Sequence, residues 1–176
     1  AILISPHTHS NNEEAFESID VISRICVNDP SRLIGFAWIE PSLSESVNHV
    51  DYAFNSKNLR GVKMMPDHWY PYEERIFPVY KKIEEFRKPI LFHSGILYAN
   101  MDSSRFCRPC FYEVMLHFPK IKFALAHISW PWTDECIATF GRMRSFSQKN
   151  NVELQMYIDI TQGTPRFYRT EAMDKA

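Results

Sequence analysis

Glycine is scarce, with 5 in 176 residues, and no G-x-G-x-x-G or G-x-x-x-x-G-K-[ST] run occurs. The usual backbone cradles for nucleotide phosphates are therefore missing. Long hydrophobic runs are missing too: the longest, such as 123–128, fall far short of the ~20 residues that cross a bilayer. Neither charge sign dominates, since 20 Lys+Arg stand against 21 Asp+Glu for a formal net charge of -1. That balance argues against a nucleic-acid binder held by a general basic surface and against a polybasic membrane anchor. Cysteine numbers only 4, too few for a disulfide framework in a chain of this length. Cys107-Arg-Pro-Cys110 has redox or half-zinc-site spacing, but no second pair accompanies it and it follows a long loop; ordinary reduced thiols are the expectation. No basic-then-apolar leader is seen. These absences set the expectation of a cytoplasmic globular domain that acts on a small molecule, with neither nucleic acid nor membrane as partner.

What is present alternates. Apolar, β-rich runs fall at 2–6, 33–39, 59–65, 89–92, 122–126 and 154–160, and helical patterns at 13–27, 44–54, 73–86, 110–118 and 133–149. Near-continuous apolar strands are those buried on both faces. Segment 73–86 carries Ile76, Val79, Tyr80, Ile83 and Phe86 on one helical face. Pro78 within it predicts a helix that begins late, with the proline in its first turn. Alternating strand and helix means parallel βαβ units, in an open doubly wound sheet or a (β/α)8 barrel. No repeat, linker or internal boundary appears, so one domain over 1–176 is expected.

The chemistry lies in the histidines. Four of the seven sit at the C-terminal ends of three separate strand candidates: His7 and His9 after the first, His93 after 89–92, and His127 after 122–126. Positions i and i+2 of a strand share a face, so His7 and His9 point the same way. In a parallel α/β fold all strand C-termini open onto one face, where active sites are built. Two imidazoles from one strand and one from another offer three nitrogen ligands and leave a position for water, which is the layout of a catalytic metal site. His49 and His117 lie in helical runs and are expected to be structural or solvent-facing.

The ordered fragments PHTH (6–9), RLIGFAWIEP (32–41), GVKMMP (61–66), KPILFHSG (88–95), FPKIKFALAH (118–127) and YIDIT (157–161) resemble the metal-dependent amidohydrolase superfamily. The similarity is to its branch related to aminocarboxymuconate-semialdehyde decarboxylase. The resemblance implies a distorted TIM (β/α)8 barrel with one divalent metal, usually zinc and sometimes manganese. It implies His7, His9 and His93 as ligands, and His127 beside the metal-bound water or the substrate. Family members either hydrolyse substrates such as lactones or remove carbon dioxide from carboxylated unsaturated or aromatic acids; a homodimer is a family-level expectation. About six of eight β/α units are visible, with the second and eighth strands not seen. Stretches on either side of Ser10 and beyond Ala176 are therefore expected in the whole protein, the last strand bringing the metal-binding aspartate. Met65 stands where a histidine is common before the proline. Asp159 matches the seventh-strand aspartate, and is expected to support the site rather than to ligate.

Further candidates follow from residue type. Lys63, flanked by apolar residues, anchors a substrate carboxylate if it faces the barrel interior and covers a helix if it faces out. Arg105 and Arg108 have the planar fork that grips carboxylates, and Trp130, with Trp132, is placed to wall a pocket. Tyr70, Tyr72 and His68 are candidate lid residues. The expected function is a metal-dependent hydrolase acting on a small carboxylated lactone or ester, in which the ion lowers the pKa of its bound water. Non-oxidative decarboxylation at the same site is the alternative. A non-catalytic metal-binding protein on a decayed barrel is the reading outside enzymology.

Overall fold

Among the described residues six strands form where the apolar runs fall, each shorter than its run by at least a residue: β1 (Ile2–Ile4), β2 (Ile34–Trp38), β3 (Gly61–Met64), β4 (Ile90–Phe92), β5 (Lys122–Leu125) and β6 (Gln155–Ile158). The helices between them are α1 (Asn12–Cys26), α2 (Ser46–Asp51), α3 (Phe77–Phe86), α4 (Ser103–Phe106), α5 (Thr133–Asn150) and α6 (Arg166–Lys175). This computed structural model describes residues 1–6, 10–98, 102–161 and 163–176. The chain divides into two compact units, Ala1–Met64 with Arg75–Ile90, and Met65–Glu74 with Leu91–Ala176.

In the first unit β1, β2 and β3 pair in parallel, with Ile4 opposite Phe36 and Phe36 opposite Gly61. Val62 N–H donates to the Pro89 carbonyl at 3.0 Å, leading the chain into β4. Helix α1 starts because Asn11 accepts a hydrogen bond from the Glu14 N–H, with Glu13 and Glu14 in the first turn. Its buried residues Ala15, Ile19 and Ile22 recur at helical spacing. Ser18 on the same face donates to the Pro6 carbonyl at 2.8 Å, which ties α1 to the end of β1 just before the H-x-H pair. Helix α3 begins at Phe77 with Pro78 in its first turn, after a 3₁₀ turn over Glu74–Ile76, as the proline required. The run 44–54 is α2 continued by a π-helical turn over Tyr52–Ser56.

The second unit pairs β5 with β6 in parallel, Phe123 opposite Met156 and Leu125 opposite Ile158. Phe92 packs on Tyr112 and Phe123 at ring separations of 4.8 and 6.2 Å. The segment expected as a helix over 110–118 is instead a 3₁₀ stretch, Pro109–His117. Its buried Pro109, Tyr112 and Met115 recur every three residues, which suits three residues per turn rather than 3.6. Helix α6 was not anticipated, because only Ala172 in it is buried and no apolar stripe marks it.

Close packing at Gly61 leaves no room for a side chain. A Cβ there would lie 2.5 Å from Phe36 Cζ, since the Phe36 ring covers its cross-strand glycine. Gly61→Ala is expected to cost about 1–3 kcal/mol by overpacking, read as an earlier urea midpoint at unchanged m-value. In a Phe36→Leu background the loss should shrink. An unchanged midpoint in the single variant would mean that the ring does not bear on Gly61.

Candidate functional site

Directly after β4 comes His93, buried at 6% exposure. Its main chain is pinned: the Tyr112 hydroxyl donates to the His93 carbonyl. Ser94 Oγ and Gly95 N–H both donate to the Cys107 carbonyl at 3.1 Å. Cys107 in turn donates its thiol proton to the Pro66 carbonyl at 2.8 Å. The loop after β4 is thus closed on itself, and the His93 ring is held at the strand end.

His127 arrives on a turn that L-residues resist. His127, Ile128 and Ser129 have φ values of 61°, 52° and 54°, a left-handed run costing roughly 1–2 kcal/mol per residue, with a β-branched side chain in its middle. The segment after β6 holds it. Asp159 N–H donates to Leu125 O at 2.9 Å, and Asp159 O accepts from Ile128 N–H at 2.8 Å. Asp159 Oδ2 accepts from His127 N–H at 3.3 Å, and Thr164 Oγ1 donates to His127 O at 3.1 Å. Thr161 Oγ1 donates to Asp159 Oδ2 and lies 3.2 Å from His127 Nδ1. Gly163 lies against the ring, where a Cβ would overlap His127 Cγ and Nδ1. The result brings the His127 ring within 5.3 Å of the His93 ring, centroid to centroid.

Of the residues singled out in the sequence, the structure brings together His93, His127 and Asp159. Trp130 adjoins them: its N–H donates to His127 O at 3.1 Å, and its ring stacks on Tyr168 at 5.5 Å. His7 and His9 lie outside the described residues. Lys63 is in the first unit and buried, at 6% exposure. Arg105 is exposed and donates to the Tyr70 hydroxyl at 3.2 Å. Arg108 is ion-paired with Glu135 at 2.5 Å and lies over the Trp132 ring. Both guanidinium groups thus have partners away from the two histidines. His49 is buried against the edge of Phe16, and His117 is exposed, as structural and solvent-facing residues should be. Thr161, Gly163 and Tyr112 were not singled out by role. For Thr161 the signal was its place two residues after Asp159.

The residues present fit a divalent metal on the described side of the site. A buried, backbone-anchored imidazole at a strand end, beside a second imidazole, is borderline nitrogen donor chemistry of the kind zinc takes.

A family model described as amidohydrolase matches residues 8–174. Among solved structures, 2,6-dihydroxybenzoate decarboxylase from Rhizobium is 12% identical with a TM-score of 0.65, covering 93% of this chain and 61% of its own. An uncharacterised TIM-barrel protein from Bordetella bronchiseptica is 17% identical with a TM-score of 0.63, covering 99% and 73% respectively. A 5-carboxyvanillate decarboxylase from Novosphingobium aromaticivorans, with bound manganese, is 15% identical with a TM-score of 0.58, covering 89% of this chain and 50% of its own. No curated protein sequence matches the chain. These likenesses establish the fold, a TIM-type α/β barrel seen in six of its units. The chain spans about three-fifths of the Rhizobium protein's length. No helix among the described residues is long and apolar enough to cross a membrane.

The four cysteines are free thiols, Cys107 buried and Cys110 exposed. Cys110 N–H donates to Glu135 Oε1 at 3.0 Å. Partial burial first, and then the Glu135 carboxylate, push the Cys110 thiol up to about 11. Burial also pushes Glu135 up, but Arg108 and the Cys110 N–H outweigh it and hold that carboxyl below its ordinary range. The thiolate is the reactive form, so a raised pKa leaves Cys110 protonated at neutral pH. Iodoacetamide should label it at pH 8 on the order of a hundredfold more slowly than an ordinary thiol, with the rate climbing towards pH 11. Glu135→Gln should speed labelling several-fold, as followed by peptide mapping. Fast labelling of Cys110 at pH 8 would contradict this placement.

Proposed function

Because the chain belongs to the amidohydrolase family, we propose that the whole protein is a metal-dependent enzyme that decarboxylates a small carboxylated aromatic or unsaturated acid. The reading is carried by the buried His93 beside a His127 that is backed by Thr161 and Asp159. Two of the solved structures of this fold named above are decarboxylases of hydroxylated benzoic acids. His7, His9 and His93 would hold one divalent ion, zinc or manganese. When bound, the ion would polarise substrate oxygens and lower the pKa of a coordinated water.

The remaining chemistry is the work of the chain's own side chains. Losing carbon dioxide leaves an electron pair on carbon, which needs a proton delivered in place. His127 is the group set to move it, because imidazole gives and takes protons near neutrality. Asp159 keeps the imidazole on its turn through the backbone bonds and through Thr161. Trp130, whose N–H bonds to the His127 carbonyl, would wall the pocket beside this cluster, and Lys63 would anchor a substrate carboxylate. Hydrolysis of a carboxylated lactone or ester is the second reading. It is favoured by the same His127, which can draw a proton from water.

Elemental mass spectrometry of the purified protein should find about one zinc or manganese per chain, absent from His93→Ala. His127→Ala should keep the metal and lose about 10²–10⁴-fold in turnover. Carbon dioxide release from hydroxylated benzoic acids, against ring opening of acidic lactones, separates the two readings. Absence of metal after incubation with zinc and with manganese would overturn both.

A further inference from the structure

Thr161 has one hydroxyl hydrogen and two claimants on its oxygen. Asp159 Oδ2 is one; His127 Nδ1, at 3.2 Å, is the other. A carboxylate oxygen only accepts, whereas an imidazole nitrogen can do either. If the hydroxyl gave its hydrogen to His127, its oxygen would face the carboxylate lone pair to lone pair. The consistent arrangement has Thr161 donating to Asp159 and accepting from a protonated Nδ1. From this geometry we propose that Thr161 is a positioning residue for His127, fixing the neutral imidazole as its Nδ1–H tautomer and leaving Nε2 as the nitrogen that exchanges protons. Two further contacts make the selection rigid. Gly163 lies against the Nδ1 edge of the ring, so the ring sits flush on its backbone. The His127 carbonyl is held by Thr164 Oγ1 at 3.1 Å, which fixes the backbone from which the ring projects.

This inference rests on His127 acting in the proposed site, but tautomer choice is measurable without turnover. Long-range ¹H–¹⁵N spectra of the imidazole rings, at about pH 8.5 and so above the ordinary imidazole range, report which nitrogen bears hydrogen. His127→Gln assigns the signal. In the wild-type protein His127 should give a protonated Nδ1 and a bare Nε2. Thr161→Val keeps the shape and removes the hydroxyl; the Nδ1–H form should then fall from the dominant species to the minor one. Thr161→Ser should restore it. Thr161 is exposed, so neither change empties the core, and Thr161→Ala carries the same expectation should valine disturb folding. Where turnover is seen, kcat should drop at least tenfold in Thr161→Val with KM within about twofold, and return in Thr161→Ser. An Nε2–H ring in the wild type, or a tautomer indifferent to Thr161→Val and Thr161→Ala, would overturn the proposal. A tautomer that responds as stated in a protein that turns over neither acids nor lactones would uphold Thr161 and remove the proposed function instead.

Discussion

Asp159 meets the turn after β5 with main chain and side chain at once. Its N–H and carbonyl bond to Leu125 and Ile128, while its carboxylate takes the His127 N–H and the Thr161 hydroxyl. Three consecutive left-handed residues without a glycine among them would not hold that shape alone, because each costs roughly 1–2 kcal/mol. Several hydrogen bonds, each worth about 1 kcal/mol net, arrive from one short segment and offset that cost. The same segment also sets the orientation of the ring. Strain at His127 is thus sustained by its surroundings, and the arrangement of the two histidines depends on it.

The supports are divided by kind. His93 is fixed from behind by a buried tyrosine hydroxyl on its carbonyl and by a loop that closes through Cys107. His127 is fixed from beside by a carboxylate and hydroxyls. One residue therefore has a buried, backbone-pinned setting, of the kind that preserves a side chain's geometry. The other has a polar setting in which protons can be handed on. Charge elsewhere on the second unit is settled locally: Arg108, Glu135 and Cys110 satisfy one another, and Lys175 reaches Asp134 and Glu171.

Much of this was legible in the residues. Every strand announced itself as a short apolar run, because strands covered on both faces have no polar side to interrupt them. Histidines standing at the ends of those runs were enough to nominate His93 and His127. The misses have equally physical causes. Segment 110–118 is apolar in most directions, so its period did not distinguish a 3.6-residue helix from a three-residue one. Helix α6 is mostly polar and buries a single residue. The partners of Arg105 and Arg108, Tyr70 and Glu135, are set by the fold and not by residue type. Thr161 was hidden because its partner is 34 residues away and nothing in a threonine advertises such a role.

The clamp on His127 also gives the site a history within the chain. Residues 127–129 leave the ribosome well before 159–164, and until the later segment docks nothing offsets the left-handed turn. A nascent chain with β1 to β5 in place therefore holds both histidines yet lacks their arrangement. The arrangement of the two histidines is thus complete only once β6 and the residues that follow it have been added.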